Sequence, residues 1–222
     1  MRRACLVSLG VVILFVCAAP AFAGTINQIV LGGTGFGPVR FTGDAVGNSF
    51  LVNFNIQNVS AAGFGTLAST GFYSIVQNGA TVHNVPGDCG AGCFMLGQSA
   101  PLLFSYGSTS GMSDLLTGTL QLVSISETPM GGGIFNDQLM INFTVTGGSL
   151  AGAFSQGNGI VQLTLKFQSN KSLASLLKNQ VLLAKVVSGA VLPVPEPASL
   201  ALLGASLLGL AGLTKKKRKL FA

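Results

Sequence analysis

Tryptophan is absent from this 222-residue chain, histidine occurs once as His83, tyrosine occurs twice, and acidic residues number six. Each scarcity narrows the chemistry. One imidazole leaves little room for general acid–base work or a zinc centre. The acids Asp44, Asp88, Asp114, Glu127, Asp137 and Glu196 are widely spaced, with no D-x-D-x-D-G calcium loop and no evident carboxylate pair. Ser99 in "GQSAP" and Ser149 in "GGSLA" each lack the last glycine of a nucleophile elbow. The glycines of "GGTGFGP" lack the third position of a dinucleotide loop and read as a turn. No catalytic residue, metal-ligand set or cofactor site emerges, and the chain reads as non-enzymatic.

Charge is also scarce away from the ends. The formal net charge is +6, but Arg2, Arg3 and the cluster Lys215, Lys216, Lys217, Arg218 and Lys219 supply it. Between them lie only Arg40, Lys166, Lys171, Lys178 and Lys185 against the six acids, so the middle shows no basic patch and no nucleic-acid partner is expected.

The ends carry targeting information. "MRRACLVSLGVVILFVCAAPAFA" has a charged start, an apolar run too short for a permanent span, and small residues at Ala21 and Ala23 before Gly24. This is the pattern of a secretory signal peptide over residues 1–23, cut by signal peptidase. At the other end Ala198 to Thr214 is uncharged and rich in Leu, Ala and Gly. At about 1.5 Å rise per residue it makes a transmembrane helix near the lower length limit, and "KKKRK" at 215–219 supplies the stop-transfer charge that keeps that end in the cytoplasm. Ahead of it, Pro195, Glu196 and Pro197 sit in "LPVPEP", where prolines fix φ, lack N–H groups and keep the backbone extended.

An exported region followed by Pro-Glu-Pro, a short apolar helix and a basic tail resembles the PEP-CTERM sorting signal of Gram-negative bacteria. The resemblance covers residues 193–222 together with the signal peptide. It implies a transient inner-membrane anchor and processing near Pro195-Glu196-Pro197 by an exosortase, followed by transfer to the cell surface or the extracellular polymeric matrix. The substrate itself contributes no catalytic residue to that step.

Residues 24–192 form the exported domain, long enough to bury a core without metal or multiple disulfides. "SFLVNFNIQNV", "GTLQLVSISE", "LMINFTVTGG" and "IVQLTLKFQ" alternate apolar and polar residues between Gly, Asn and Ser punctuation. Leu139, Ile141, Phe143 and Val145 are expected on the core face, with Met140, Asn142, Thr144 and Thr146 opposite. The pattern predicts an all-β domain, an antiparallel sandwich or jelly-roll-like barrel of eight to ten strands. Over 172–187, Leu173, Leu176, Leu177, Gln180, Leu183, Ala184 and Val187 fit helical spacing, with a final strand as the alternative.

Removal of the signal peptide leaves Cys89 and Cys93, separated by Gly-Ala-Gly. In an oxidising compartment they are expected to form a disulfide pinning a surface loop. The alternatives are a redox pair and a zinc site with His83 and Asp88. Three roles fit the domain: a structural or adhesive surface protein, a polysaccharide- or ice-binding module, and a secreted hydrolase. The first is favoured, with exopolysaccharide as the partner of the second. Tyr73 and Tyr106 are the candidate aromatic platforms for sugar, and Thr117, Thr119, Thr144 and Thr146 are too few for a flat ice-binding array.

Overall fold

Alternation of buried and outward residues along long strands, interrupted at a few bulges, sets the architecture. A computed structural model describes residues 27–43, 50–79, 82–84, 92–154, 157–168, 172–173 and 180–194. They form β1 (Ile29–Leu31), β2 (Val39–Gly43), β3 (Phe50–Gly63), β4 (Thr70–Gln77), β5 (Val82–Asn84) and β6 (Cys93–Gln98). After these come β7 (Leu102–Gly107), β8 (Leu116–Gly131), β9 (Ile134–Gly147), β10 (Asn158–Phe167) and β11 (Val181–Pro193). Every pairing between them is antiparallel.

The eleven segments make eight staves. β1 and β2 both lie between β3 and β11, so they are two halves of one interrupted strand. β4 and β5 both pair with β3, and β6 and β7 both pair with β8, as two more broken staves. Around the ring each stave neighbours the next in sequence, and β11 closes onto β1 and β2. The result is an eight-stranded antiparallel meander barrel. The all-β reading holds, while the sandwich or jelly-roll expectation gives way to a closed barrel. Both architectures alternate apolar and polar residues along each strand; closure depends on which edges meet, and closure removes the free edges a sandwich must protect.

The strand breaks explain a second correction. "GGTGFGP" joins β1 to β2 within one stave rather than reversing the chain, and the "QNGA" region likewise joins β4 to β5. The freed backbone groups find other partners. Thr34 N–H donates to the Val186 carbonyl (2.8 Å) and Val186 N–H donates to Thr34 Oγ1 (2.9 Å), bridging β11 between its contacts with β1 and β2. Gln98 does the same for β8: its Nε2 donates to the Leu120 carbonyl (2.7 Å), and its Oε1 accepts from Leu122 N–H (2.9 Å). The amide side chain substitutes for the missing strand. "MGGGIFND" does reverse the chain, with Gly131 at the end of β8 and Gly132 and Gly133 ahead of β9 all at positive φ.

Inward-facing residues fill the barrel. Leu139, Ile141 and Phe143 are buried, Val145 packs on the core edge, and Asn142, Thr144 and Thr146 face outward, as the alternation requires. Polar-out, apolar-in is the reverse of the pattern of a membrane-spanning barrel. Among the described residues no helix is long and apolar enough to cross a membrane, and residues 198–214 lie outside them. From Val181 onward the 172–187 segment is strand, with Leu182, Ala184 and Val186 buried; the outward Leu183 and Val187 alternate with them and mimicked a helical spacing.

An even number of staves returns the chain to where it began. Ile29 pairs with Gly63 and Val191, so entry and exit share one end of the barrel, here called proximal. The β8–β9 turn and the start of β11 lie at the other, distal end. At the proximal end Tyr73 donates its hydroxyl to the Gly32 carbonyl (2.9 Å) and Tyr106 donates to the Ser69 carbonyl.

Candidate functional site

The distal end holds the chain's least expected side chains. Asp137 belongs to the inward row of β9 below Leu139 and is 0% exposed. On β8 the inward phase shifts at the irregularity between Leu122 and Ser124, which turns Ile125 and then Glu127 toward the interior. Glu127 and Asp137 are direct cross-strand partners. The carboxylate pair that the spacing of the acids did not reveal is therefore present. A signal did exist: the two acids lie five residues on either side of Gly132, the centre of the glycine turn, so a hairpin folded there brings them face to face.

Their surroundings are apolar. Phe41 packs edge-on to Phe167 (5.0 Å between centroids) and tilted against Phe50 (5.9 Å), while Phe50 meets Phe94 edge-on (5.6 Å). Leu165 lies opposite Asp137 on β10, and buried Leu173 donates its N–H to Glu127 Oε2. Neither Asp137 oxygen has a hydrogen-bond partner among the described residues. Burial, and secondarily the negative charge of Glu127, push the Asp137 carboxyl up to about 7. Burial also raises Glu127, with the Leu173 N–H opposing the shift. The raised Asp137 carboxyl favours its protonated form inside the barrel, where it is fully buried. Among the described residues no group of three or more His, Cys, Asp or Glu is placed to hold a metal.

The outer wall carries the opposite charge. Lys166 on β10 stands directly across from Lys185 on β11, and Arg40 on β2 pairs with Leu183, diagonal to Lys185. Three cations dispersed in sequence thus meet on adjacent staves, which corrects the expectation that the middle of the chain has no basic patch. Lys185 Nζ lies 5.0 Å from the centroid of the half-exposed Phe36 ring. Beside them, over the β1–β2 break, an open hollow is lined by Thr34, Gly35, Pro38, Asn55, Gln57 and Ser60.

The other candidates separate. Tyr73 and Tyr106 are mutual cross-strand partners, fully buried and engaged through their hydroxyls, so neither can serve as a sugar platform. Burial holds the Tyr73 phenol well above its ordinary range. Ser99 sits exposed in a bend beyond β6, and Ser149 sits exposed in a turn beyond β9. His83 lies in β5 opposite Leu51 and Gly97. Thr119 faces Thr144, and Thr146 Oγ1 lies 3.4 Å from Thr117 Oγ1, but Gln121 and Asn142 interrupt the row. Cys93 opens β6 opposite Ser126 at the distal end; Cys89 lies outside the described residues. So do Ala21, Ala23 and Gly24, Pro195-Glu196-Pro197, and the cluster Lys215, Lys216, Lys217, Arg218 and Lys219.

Residues 193–218 match the family described as the PEP-CTERM protein-sorting motif. No curated protein and no solved structure matches the chain. The matched segment begins at Pro193, the last residue of β11, so the motif follows directly on the barrel's closing strand and overlaps it by that one residue.

Proposed function

We propose, from the premise that this chain carries a PEP-CTERM protein-sorting motif, that it is a non-enzymatic exported protein whose barrel serves a structural or adhesive role at the cell surface or in the extracellular polymeric matrix. Signal peptidase cuts after Ala23, and residues 198–214 hold the protein in the inner membrane with Lys215–Lys219 inside. An exosortase then processes the extended segment around Pro195-Glu196-Pro197 and releases the barrel outward. The motif match carries this reading. Barrel geometry supports it, because entry and exit share the proximal end and an anchor there turns the distal end away from the membrane. The disulfide between Cys89 and Cys93 belongs to the same reading, as a clasp in the turn between the third and fourth staves.

Cell fractionation tests the delivery step. Alanine at Pro195, Glu196 and Pro197 is expected to leave the protein exported and folded but retained in the inner membrane with its basic tail. Arrival of that variant at the surface with the mature mass of the wild type would show that another protease, or no processing, governs release.

A further inference from the structure

We propose that the outer wall formed by β2, β11 and β10 binds an acidic polysaccharide, with Arg40, Lys185 and Lys166 contacting its carboxylate or sulfate groups. This rests on the surface reading above and names the ligand class that reading leaves open.

The wall is electrostatically unbalanced. Lys166 and Lys185 face each other directly across the β10–β11 ladder, an arrangement that costs stability when no opposite charge lies between. Arg40 adds a third cation at a diagonal position, roughly 7–8 Å away. Their outward neighbours are neutral: Asn53 lies across from Arg40 on β3, and Thr164 and Gln138 continue the wall from β10 to β9. The two carboxylates of this end, Glu127 and Asp137, belong to the inward rows. Arg40, Lys166 and Lys185 have no ion-pair partner among the described residues. An unbalanced cationic surface of this kind is complementary to a polyanion.

Shape and lining select the polyanion. The cations lie on a sheet wall, not in a closed pocket, and the wall runs on from Arg40 into the open hollow over the β1–β2 break. Thr34, Asn55, Gln57 and Ser60 line that hollow with uncharged hydrogen-bonding groups, as a polyhydroxylated chain requires. Phe36 contributes a half-exposed ring and fixes the Lys185 ammonium beside it. Position argues against a bilayer: Lys166 and Lys185 sit toward the distal ends of β10 and β11, and Arg40 sits on β2, the distal half of its stave, away from the end where the chain leaves for its anchor.

Co-sedimentation and calorimetry with the exported protein would use alginate, a polyuronate, beside neutral dextran and phosphatidylglycerol vesicles. The expected result is binding to alginate that weakens with added salt, with no binding to dextran or vesicles. The triple variant Arg40→Gln, Lys166→Gln, Lys185→Gln should bind at least about tenfold more weakly, while Lys166→Arg with Lys185→Arg should bind as the wild type does. Alginate binding unchanged in the triple variant, equal binding to dextran, or preference for the vesicles would each overturn the proposal. Fractionation of cells making the triple variant keeps the two readings apart: normal surface delivery with lost alginate binding is the expected outcome, and failed delivery of the wild type would count against the sorting reading alone.

Discussion

Asp137→Asn is expected to stabilise the exported barrel at pH 8 by up to about 4 kcal/mol while changing little near pH 4. In the folded protein this carboxyl titrates near 7 rather than at its ordinary 3.8, so the native state holds the proton more tightly than the unfolded chain. Its favourable contribution is complete below about pH 4, falls as pH rises through the folded value, and is absent above about 8. The cause lies in the contacts: a fully buried carboxylate with neither oxygen hydrogen-bonded, facing Glu127 across the ladder. Asparagine keeps the shape and cannot ionise. Asp114 works in the opposite direction, its carboxyl lowered chiefly by the Ser108 hydroxyl at 2.6 Å and then by the Ser108 N–H at 2.8 Å. The difference between variant and wild type removes that contribution. Urea unfolding at several pH values from 4 to 8 reads the effect, and parallel curves for the two proteins would mean that Asp137 is not buried in ionisable form.

Phe143→Ala should cost about 3–5 kcal/mol, the range for removing a large aromatic from a packed core. The ring is 1% exposed and sits edge-on between Phe104, at 5.1 Å, and Phe154, at 5.7 Å, joining three elements near the proximal end. It also explains Gly118 on β8, where an added Cβ would meet both the Phe143 ring and the Thr144 carbonyl within 2.3 Å. A closed hydrogen-bonded barrel has little freedom to collapse into the space left behind, which places the loss in the upper part of the range. Urea titration at pH 5, where Asp137 is protonated, isolates this packing effect. A loss below about 1 kcal/mol would show that the interior repacks freely.

Legibility in the sequence followed the range of the interaction. The alternation of β9 can be read from Leu139 to Thr146 because it is local and reports burial directly. Pro195-Glu196-Pro197 and the basic tail can be read because sorting signals are linear. Closure of the barrel depends on β11 meeting β1 and β2 across 150 residues, and alternation carries no record of that. Breaks within staves contain the same glycines and prolines as reversals, so "GGTGFGP" was indistinguishable from a turn. Lys166 and Lys185 meet across the consecutive strands β10 and β11, but Arg40 joins them only through that closure. Glu127 and Asp137 are different: the hairpin centred on Gly132 pairs them, and counting outward from the turn would have found them. Only the phase shift between Leu122 and Ser124, which turns Glu127 inward, needed the structure.

The central claim is that a self-contained barrel is delivered outward by a C-terminal segment which is then removed, and the intact mass of the protein recovered from the cell surface tests it most directly. The account predicts a chain beginning at Gly24, ending near Pro195-Glu196-Pro197 without Lys215–Lys219, and gaining about two mass units on reduction of Cys89 and Cys93. A surface protein that retains its basic tail would contradict it.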